Sequence, residues 1–200
     1  MFFNHIVNIV NNAHKLLGVI FRNSTCFSIF TIIKLYFALI RSKLEYCCVI
    51  WNPITKKHIN LLEKVQNKFL KYIYFKKYNY YPQYDTYVSM LQYFNVSALS
   101  HRRNCHALMF LYKLIHNEID DMSIVEKISY YVPHIGTYKY HNIFFIPKAN
   151  SNCYYYSPIN RILRVYNNLH MLEDIDVFHM SINQFRKRIA NILSSNEIII

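Results

Sequence analysis

Apolar residues recur every three or four positions through most of the chain, the spacing that lays one hydrophobic stripe along an α-helix. The opening segment is regular, because its apolar positions from Ile6 to Ile20 are separated mostly by polar residues. A more uniformly apolar run predicts a central core helix over 28–49, which Asn52 and Pro53 end. The same periodicity predicts further helices over about 56–74, 84–93, 97–116, 157–169 and from Ser181 onward.

Capping signals support the two C-terminal helices. Ser157 followed by Pro158 is typical of an N-cap and first helical residue. Ser181 and Gln184 have the spacing of a capping box. Earlier in the chain, Thr55 can cap the helix that begins after Pro53.

Between residues 130 and 152 the helical period fails. Pro133, Gly136 and Pro147 bracket β-rich positions, Val132 and 143–146, which predict a short two-stranded excursion around 130–150. We therefore expect a mostly α fold, a bundle of about six to seven helices with this small β excursion. Its expected parts are a helical domain over 1–120 and a segment over 121–200 that carries the strands and two terminal helices, packed as one unit.

Composition excludes several classes of protein. With 53% hydrophobic and 17% charged residues, the chain can bury a core, which excludes a disordered tail. Two glycines and five prolines are too few for a glycine-rich phosphate loop or a turn-rich all-β fold. Five cysteines, two of them adjacent at Cys47 and Cys48, suit no disulfide framework and favour a reducing intracellular compartment. The apolar run 27–40 is too short for a membrane span and contains Lys34, so we expect no membrane partner.

Charge is distributed unevenly along the chain. The formal net charge is +12. Residues 1–100 hold 12 basic and 3 acidic residues, and residues 101–200 hold 11 basic and 8 acidic residues. A polyanionic partner is therefore favoured, with most of its contacts in the first half.

The helix predicted over 56–74 concentrates this charge on one face. At about 100° per residue, four lysines fall within about 60° of one another. These lysines, called here the lysine stripe, are Lys57, Lys64, Lys68 and Lys71. The opposite face is apolar, with Ile59, Leu62, Val65, Phe69 and Ile73.

Further cations and aromatic residues flank the lysine stripe. Lys56, Lys76 and Lys77 are expected to assist it, and a weaker second patch comprises Arg186, Lys187 and Arg188. Tyrosines follow at Tyr78, Tyr80, Tyr81, Tyr84 and Tyr87. Cations beside flat rings are what a nucleic-acid strand requires. The alternative interpretation is a solvated lysine face with tyrosines that serve only in packing.

No set of residues predicts catalysis or a bound metal. Asp120 and Asp121 are adjacent, but a helix precedes them and a short helical pattern begins at Ser123, so a helix-joining loop is expected. His101, Cys105 and His106 lack a second pair at ligand spacing. We expect no catalytic residue, no metal site, no cofactor and no small-molecule substrate.

Several blocks, read together, resemble one family. They are Leu17, Gly18, Ile20 and Arg22; 39–46 (LIRSKLEY) continuing to Val49–Pro53; 62–69 (LEKVQNKF); Arg102, Arg103 and 110–114 (FLYKL); and 157–161 (SPINR). In this order they resemble the C-terminal region, thumb and post-palm, of jockey-type non-LTR retrotransposon reverse transcriptases. The resemblance runs from about His5 to Leu193. Two positions depart from it, since Cys47 stands where the family often has glycine and Asn67 where a basic residue is common.

The resemblance implies a role in copying element RNA into DNA, with residues 1–120 as a thumb-like domain that grips the template-primer hybrid. It places the Tyr-x-Asp-Asp palm motif upstream of Met1, so we expect no polymerase activity from this chain alone. A palm domain is then an expected partner, and the nucleus an expected location. The alternative is a decayed retroelement remnant or a protein-interaction module without nucleic-acid binding.

Overall fold

The structure, a computed structural model, describes residues 2–82, 86–132, 142–173 and 175–195. These residues form a mostly α-helical fold with one small two-stranded antiparallel sheet, which confirms the predicted fold class. Two compact units divide the chain between Ser100 and His101.

The first unit is helical throughout its regular structure. Its elements are α1 (Phe3–Asn23), a 3₁₀ turn (Ser24–Cys26), α2 (Ile29–Leu35), α3 (Ser42–Glu45), α4 (Cys48–Trp51), α5 (Lys56–Tyr78) and α6 (Tyr87–Phe94). A π-helical segment, Tyr36–Arg41, joins α2 to α3.

The core of this unit lies between α1 and α5. Helix α1 buries five of the seven positions of the predicted stripe and leaves Ile9 and Leu16 half-buried; the buried five are Ile6, Val10, Ala13, Leu17 and Ile20. Helix α5 packs against it and buries Leu62, Val65, Phe69, Leu70 and Ile73. Burial of these apolar side chains fixes which face of α5 points inward and leaves the opposite face to solvent.

The helix predicted over 28–49 was wrong in its extent, because the continuous helix breaks after Glu45 and a separate short helix, α4, follows over Cys48–Trp51. Cys47 takes a left-handed conformation with φ 49° and ψ 26°, and the indole Nε1 of Trp51 donates to the Tyr46 carbonyl at 2.7 Å. The preceding π segment also has a physical role. Buried residues recur here at every fourth position. In an α-helix, side chains four residues apart rotate gradually around the helix axis, and the wider π turn offsets this rotation, so the buried residues stay on one face. They are Ile32, Tyr36, Ile40 and Leu44.

Helix α5 is held by a buried polar network as well as by apolar packing. The Glu63 carboxylate accepts hydrogen bonds from the Tyr87 hydroxyl at 2.5 Å and from the backbone N–H groups of Leu99 and Ser100 at 3.1 and 2.7 Å. Gln66 accepts from the Tyr36 hydroxyl at 3.1 Å. These bonds satisfy polar groups removed from water and set the rotation of α5 about its axis.

The second unit contains the sheet and the remaining helices. Helix α7 (Leu99–Ile115) begins at the unit boundary and is followed by α8 (Met122–Val125), β1 (Ser129–Tyr130), β2 (Phe144–Phe145), α9 (Asn152–Tyr155), α10 (Pro158–Glu173) and α11 (Ile182–Ser195). Ser129 pairs with Phe145 and Tyr130 with Phe144. The predicted two-stranded excursion is confirmed, and its second strand falls within 143–146. Its first strand lies at Ser129–Tyr130 instead of Val132, and Pro133 and Gly136 lie outside the described residues.

The predicted starts of the C-terminal helices agree with the structure. Pro158 is the first residue of α10, and Ile182 is the first residue of α11. The Gln184 side chain accepts hydrogen bonds from the Ser181 N–H at 3.2 Å and from its hydroxyl at 3.0 Å, which is the reverse arm of a capping box. Thr55 occupies the N-cap of α5, but its hydroxyl bonds the His58 Nδ1 at 2.7 Å instead of a backbone N–H.

The two compact units divide twenty residues before the expected domain boundary at residue 120. The contacts of α7 give the physical reason. The Tyr112 hydroxyl donates to the Met180 carbonyl at 2.9 Å, and its ring lies 5.1 Å from that of Phe185. Because α7 supplies core side chains to the C-terminal helices, most of it belongs with the residues that follow it.

Candidate nucleic-acid interface

The outer face of α5 carries the lysine stripe. Lys57, Lys64 and Lys68 are exposed, and Lys71 is half-buried. Two turns of helix separate Lys57 from Lys64, and a rise of about 1.5 Å per residue spreads the stripe over about 21 Å. Because the opposite face of α5 is buried, these ammonium groups face the solvent as one row.

No counter-charge neutralises this row within the described residues. None of the four ammonium groups of the lysine stripe forms an ion pair or a hydrogen bond with any group in that part of the chain. His14 of α1 interacts with the charge of Lys68: burial, and to a smaller extent this charge, lowers the pKa of His14. The lowered pKa favours the neutral imidazole, which carries no negative charge that could neutralise Lys68.

A cleft of ≈ 390 Å³ opens beside the lysine stripe. Its lining comprises Phe21, Lys64, Asn67, Lys68, Lys71, Tyr72 and Tyr81. The Phe21 and Tyr72 rings stack with centroids 3.9 Å apart at 22°, and the Tyr72 hydroxyl bonds the Ser24 hydroxyl. These contacts fix one aromatic wall of the cleft between α1 and α5.

A second aromatic pair, Phe75 and Tyr81, lies next to the C-terminal end of the lysine stripe. Phe75 falls on the same face of α5, one turn beyond Lys71. The Tyr81 ring stacks on Phe75 with centroids 4.5 Å apart at 14°, yet 58% of Tyr81 is exposed. Cations and open ring faces therefore occupy one continuous surface, the combination that sequence-independent strand binding uses.

The three flanking lysines differ in their surroundings. Lys56 is exposed at the first turn of α5. The Lys76 Nζ donates to the carbonyls of Ser24 and Phe27, so two of its three donors are engaged within the protein. The Lys77 Nζ donates to the Tyr93 hydroxyl at 2.9 Å, and hydrogen bonds to Tyr93 and Tyr78 raise the pKa of Lys77.

The second basic patch lies on α11 in the other unit. Arg186, Lys187 and Arg188 are all exposed. The Arg188 Nη2 donates to the Glu173 carbonyl at 3.1 Å, which ties that guanidinium to the end of α10. Consecutive positions on a helix lie about 100° apart, so these three groups point in different directions.

The predicted tyrosines separate into three environments. Tyr81 lines the cleft, whereas Tyr78 and Tyr80 pack around Tyr74, with ring centroids 4.7 and 5.6 Å from it. Tyr87 is half-buried in α6, where burial and the Glu63 carboxylate raise its pKa. Tyr84 lies outside the described residues.

The residues weighed for metal binding have other surroundings. Within the described ranges, no group of three or more histidine, cysteine, aspartate or glutamate residues is placed to hold a metal ion. Asp121 precedes α8 and accepts from the Ser123 hydroxyl at 2.7 Å, a bond that lowers the pKa of this carboxyl. Burial raises the pKa of the Cys105 thiol to about 11, which opposes thiolate ligation.

Sequence patterns did not identify three members of the cleft. Phe21 and Tyr72 are 51 residues apart along the chain, and they come together only because α1 packs along α5. Asn67 lies in the cleft lining, and its Oδ1 is buried with no hydrogen-bond partner in the described part of the chain. Asn67 stands three residues after Lys64 and four before Lys71, a spacing that places it beside the lysine stripe, and the resemblance marked it only as a departure from a basic residue.

Among the helices of the described residues, none combines the length and the apolar character that a bilayer span requires. Comparison of the chain with protein-family models, with curated proteins and with solved structures found no match.

Proposed function

We propose that the first unit binds the sugar-phosphate backbone of nucleic acid through the lysine stripe, without reading base sequence. The observation that carries the proposal is the unneutralised row of Lys57, Lys64, Lys68 and Lys71 on the solvent face of α5. Phosphate contacts of this kind supply affinity but no sequence information. Lys56, Lys77 and, less strongly, Lys76 extend the positive field.

The resemblance to jockey-type reverse transcriptases supports a more specific role. One of the blocks that carry it, 62–69, lies within α5 and contains two members of the lysine stripe, Lys64 and Lys68. We propose that this unit corresponds to a polymerase thumb that grips a template-primer hybrid and works beside a palm domain. The chain itself contributes binding and no catalytic residue.

The test is the affinity of the full chain for an RNA–DNA hybrid of about 20 base pairs, followed by fluorescence anisotropy at about 50 mM salt. Exchange of Lys64→Glu and Lys68→Glu removes two phosphate contacts. We expect affinity to fall on the order of 100-fold and the slope of log affinity against log salt to shrink by about 1.8. Unchanged hybrid affinity, with helical circular dichroism retained, would falsify the proposal.

A matched control separates the row from net charge. Lys34→Glu with Lys43→Glu makes the same change in charge at exposed lysines of α2 and α3, outside the cleft lining. If the proposal holds, the control double variant weakens binding by less than about threefold. Equal losses in the two double variants would show that total charge, and not the lysine stripe, carries the binding.

Exposed apolar side chains favour a second candidate function, a protein-interaction surface in a decayed retroelement remnant or an independent module. Phe30 is 66% exposed, Tyr46 76% and Ile50 53%, all within α2 to α4 or their connections. Large exposed apolar side chains mark protein contacts when they are contiguous. Self-association or partner binding through this surface would be insensitive to salt, whereas phosphate binding weakens steeply as salt rises.

A further inference from the structure

The cleft beside the lysine stripe contains groups that backbone binding leaves without a role. Backbone binding requires only the ammonium groups of Lys64, Lys68 and Lys71. The same cleft also presents aromatic rings, of which Tyr81 is the most exposed. Flat rings next to cations bind bases as well as phosphates, because each base has a π face.

Tyr81 offers one open ring face. Its stack on Phe75, with centroids 4.5 Å apart at 14°, covers the other face and holds the ring in place. Since 58% of the residue remains exposed despite that stack, the uncovered face is accessible from solvent. A ring held in this way loses little conformational entropy when a base stacks on it.

The geometry of α5 places this ring at one nucleotide's reach from the cations. Lys71 and Phe75 are one turn apart, about 6 Å along the helix axis. Because Lys68, Lys71 and Tyr81 line the same cleft, a nucleotide whose phosphate contacts either lysine has the Tyr81 ring within reach of its base. The cleft volume of ≈ 390 Å³ lies within the range of about 300–1,000 Å³ that is typical of small-ligand sites.

Only an unpaired nucleotide can use this site. In a duplex, pairing and stacking on both neighbours cover the base faces, so a duplex can contact the lysines but cannot place a base on Tyr81. We propose that the cleft binds one unpaired nucleotide of a single-stranded nucleic acid, with its base stacked on Tyr81 and its phosphates bound by Lys64, Lys68 and Lys71. This inference rests on the proposed function and adds the class of strand that the site selects.

The experiment uses the full chain with fluorescein-labelled oligothymidylate of about 12 nucleotides, which forms no secondary structure, and with its duplex on oligodeoxyadenylate. Exchange of Tyr81→Leu removes the ring from an exposed position. We expect affinity for the single strand to fall by about 5- to 150-fold, the range for loss of one base–aromatic stack, and affinity for the duplex to change by less than about twofold. Tyr81→Phe keeps the ring and should retain single-strand binding.

Tyr80→Leu is the matched control. Tyr80 is 56% exposed and adjacent in sequence, but its ring packs on Tyr74 and not in the cleft lining. We expect Tyr80→Leu to leave single-strand affinity within about twofold of the wild type. Equal effects of Tyr80→Leu and Tyr81→Leu would overturn the assignment of the base to Tyr81.

An abasic probe tests the stack without changing the protein. An oligodeoxynucleotide that lacks its bases keeps every phosphate, so it should bind the wild-type chain more weakly by the same factor that Tyr81→Leu produces. The Tyr81→Leu variant should bind the abasic and the intact strand equally. If the wild-type chain also binds both equally, no base is stacked and the inference is wrong.

The two proposals fail in different ways. If Lys64→Glu with Lys68→Glu abolishes binding while neither Tyr81→Leu nor the abasic probe has an effect, backbone binding stands and the nucleotide site falls. If the wild-type chain binds neither single strand nor duplex at low salt, both proposals fall together. If Tyr81→Leu weakens duplex and single strand alike, Tyr81 acts through the shape of the unit, and the nucleotide site is again rejected.

Discussion

Helices α5 and α11 both carry clusters of basic residues, but only α5 forms a row. On α5 the lysines are separated by three, four or seven residues, so they return to one face. On α11 three cations are consecutive, so they spread over about 200° of the helix circumference. The spacing of charges along a helix, more than their number, therefore decides whether a polyanion meets a continuous surface.

The two units also differ in where their acidic residues lie. Residues 1–100 contain three acids. Glu63 is turned into the core, Glu45 lies 4.0 Å from Arg41, and Asp85 lies outside the described residues. Residues 101–200 contain eight acids against 11 basic residues. The positive field of the first unit is consequently far less compensated than that of the second.

Charge reversal in each unit gives the largest expected contrast. Arg186→Glu with Lys187→Glu changes net charge as much as Lys64→Glu with Lys68→Glu does. We expect the α11 pair to lower hybrid affinity by less than about threefold, and the α5 pair on the order of 100-fold, at about 50 mM salt. Anisotropy titrations measure both. A larger loss from the α11 pair would move the binding surface to the second unit.

The buried polar groups of the two units provide the next contrast. Glu63→Ala leaves three donors, from Tyr87, Leu99 and Ser100, without their acceptor. Asn167→Ala removes two bonds to the Phe144 backbone, at 2.8 and 3.2 Å. We expect the free energy of unfolding to fall by about 3 kcal/mol for Glu63→Ala and about 2 kcal/mol for Asn167→Ala, measured by urea denaturation.

Glu63→Gln serves as the control, because it keeps one acceptor oxygen in the same place. It should cost less than Glu63→Ala. If the two variants are equally destabilised, the negative charge of Glu63, and not its hydrogen bonds, fixes the rotation of α5 about its axis.

Alkaline pH should weaken the second unit before the first. Burial raises the pKa of Cys105 from 9.0 to about 11, so its contribution to stability is complete below pH 9 and is lost as pH rises to 11. Burial and the charge of Glu63 raise the pKa of Tyr87 above 10.0, so its contribution is lost only above pH 10. Cys105→Ala should flatten the fall in unfolding free energy between pH 9 and 11 by about 2 kcal/mol.

The measurement is the free energy of unfolding across that pH range, with Tyr87→Phe as the counterpart in the first unit. Tyr87→Phe should leave the slope between pH 9 and 10 unchanged. A flattened slope in that interval for Tyr87→Phe, and none for Cys105→Ala, would reverse the assignment.

Residues with a left-handed backbone conformation give the smallest expected difference in stability between the two units. Cys47 in the first unit has φ 49°, and Asn117 in the second has φ 55°. Asparagine tolerates this region and cysteine does not, so Cys47→Gly should stabilise the protein by about 1 kcal/mol and Asn117→Gly by less than about 0.5 kcal/mol. Thermal unfolding measures both, and a destabilised Cys47→Gly variant would show that this backbone carries no strain.

Much of the fold follows from local patterns in the sequence. Helix α1 and the inner face of α5 were predicted from apolar spacing, since burial of a regular stripe leaves a helix few other arrangements. The starts of α10 and α11 follow from Ser157, Pro158 and Ser181, because capping involves only neighbouring residues. The division of the chain at residue 100 could not be found in this way, since it depends on which elements α7 contacts.

In the candidate site, too, some features follow from the sequence and others depend on tertiary contacts. The lysine stripe is a property of one helix, so its four members follow from the sequence and the helical period alone. Two features of the cleft depend on tertiary contacts. Its aromatic wall forms because α1 packs on α5, and the Tyr81 ring is held in place by its stack on Phe75. Lys76 shows the converse, since its donors are engaged by carbonyls some fifty residues earlier in the chain.

The sequence by itself determined that the chain is mostly helical, that its first half is strongly cationic and that one helix face gathers four lysines, because these features depend on residue type and on the period of a single helix. Only the tertiary structure decided which rings meet those lysines, which cations are engaged elsewhere and where the compact units divide. Such contacts join residues distant along the chain, and packing, not local periodicity, brings them together.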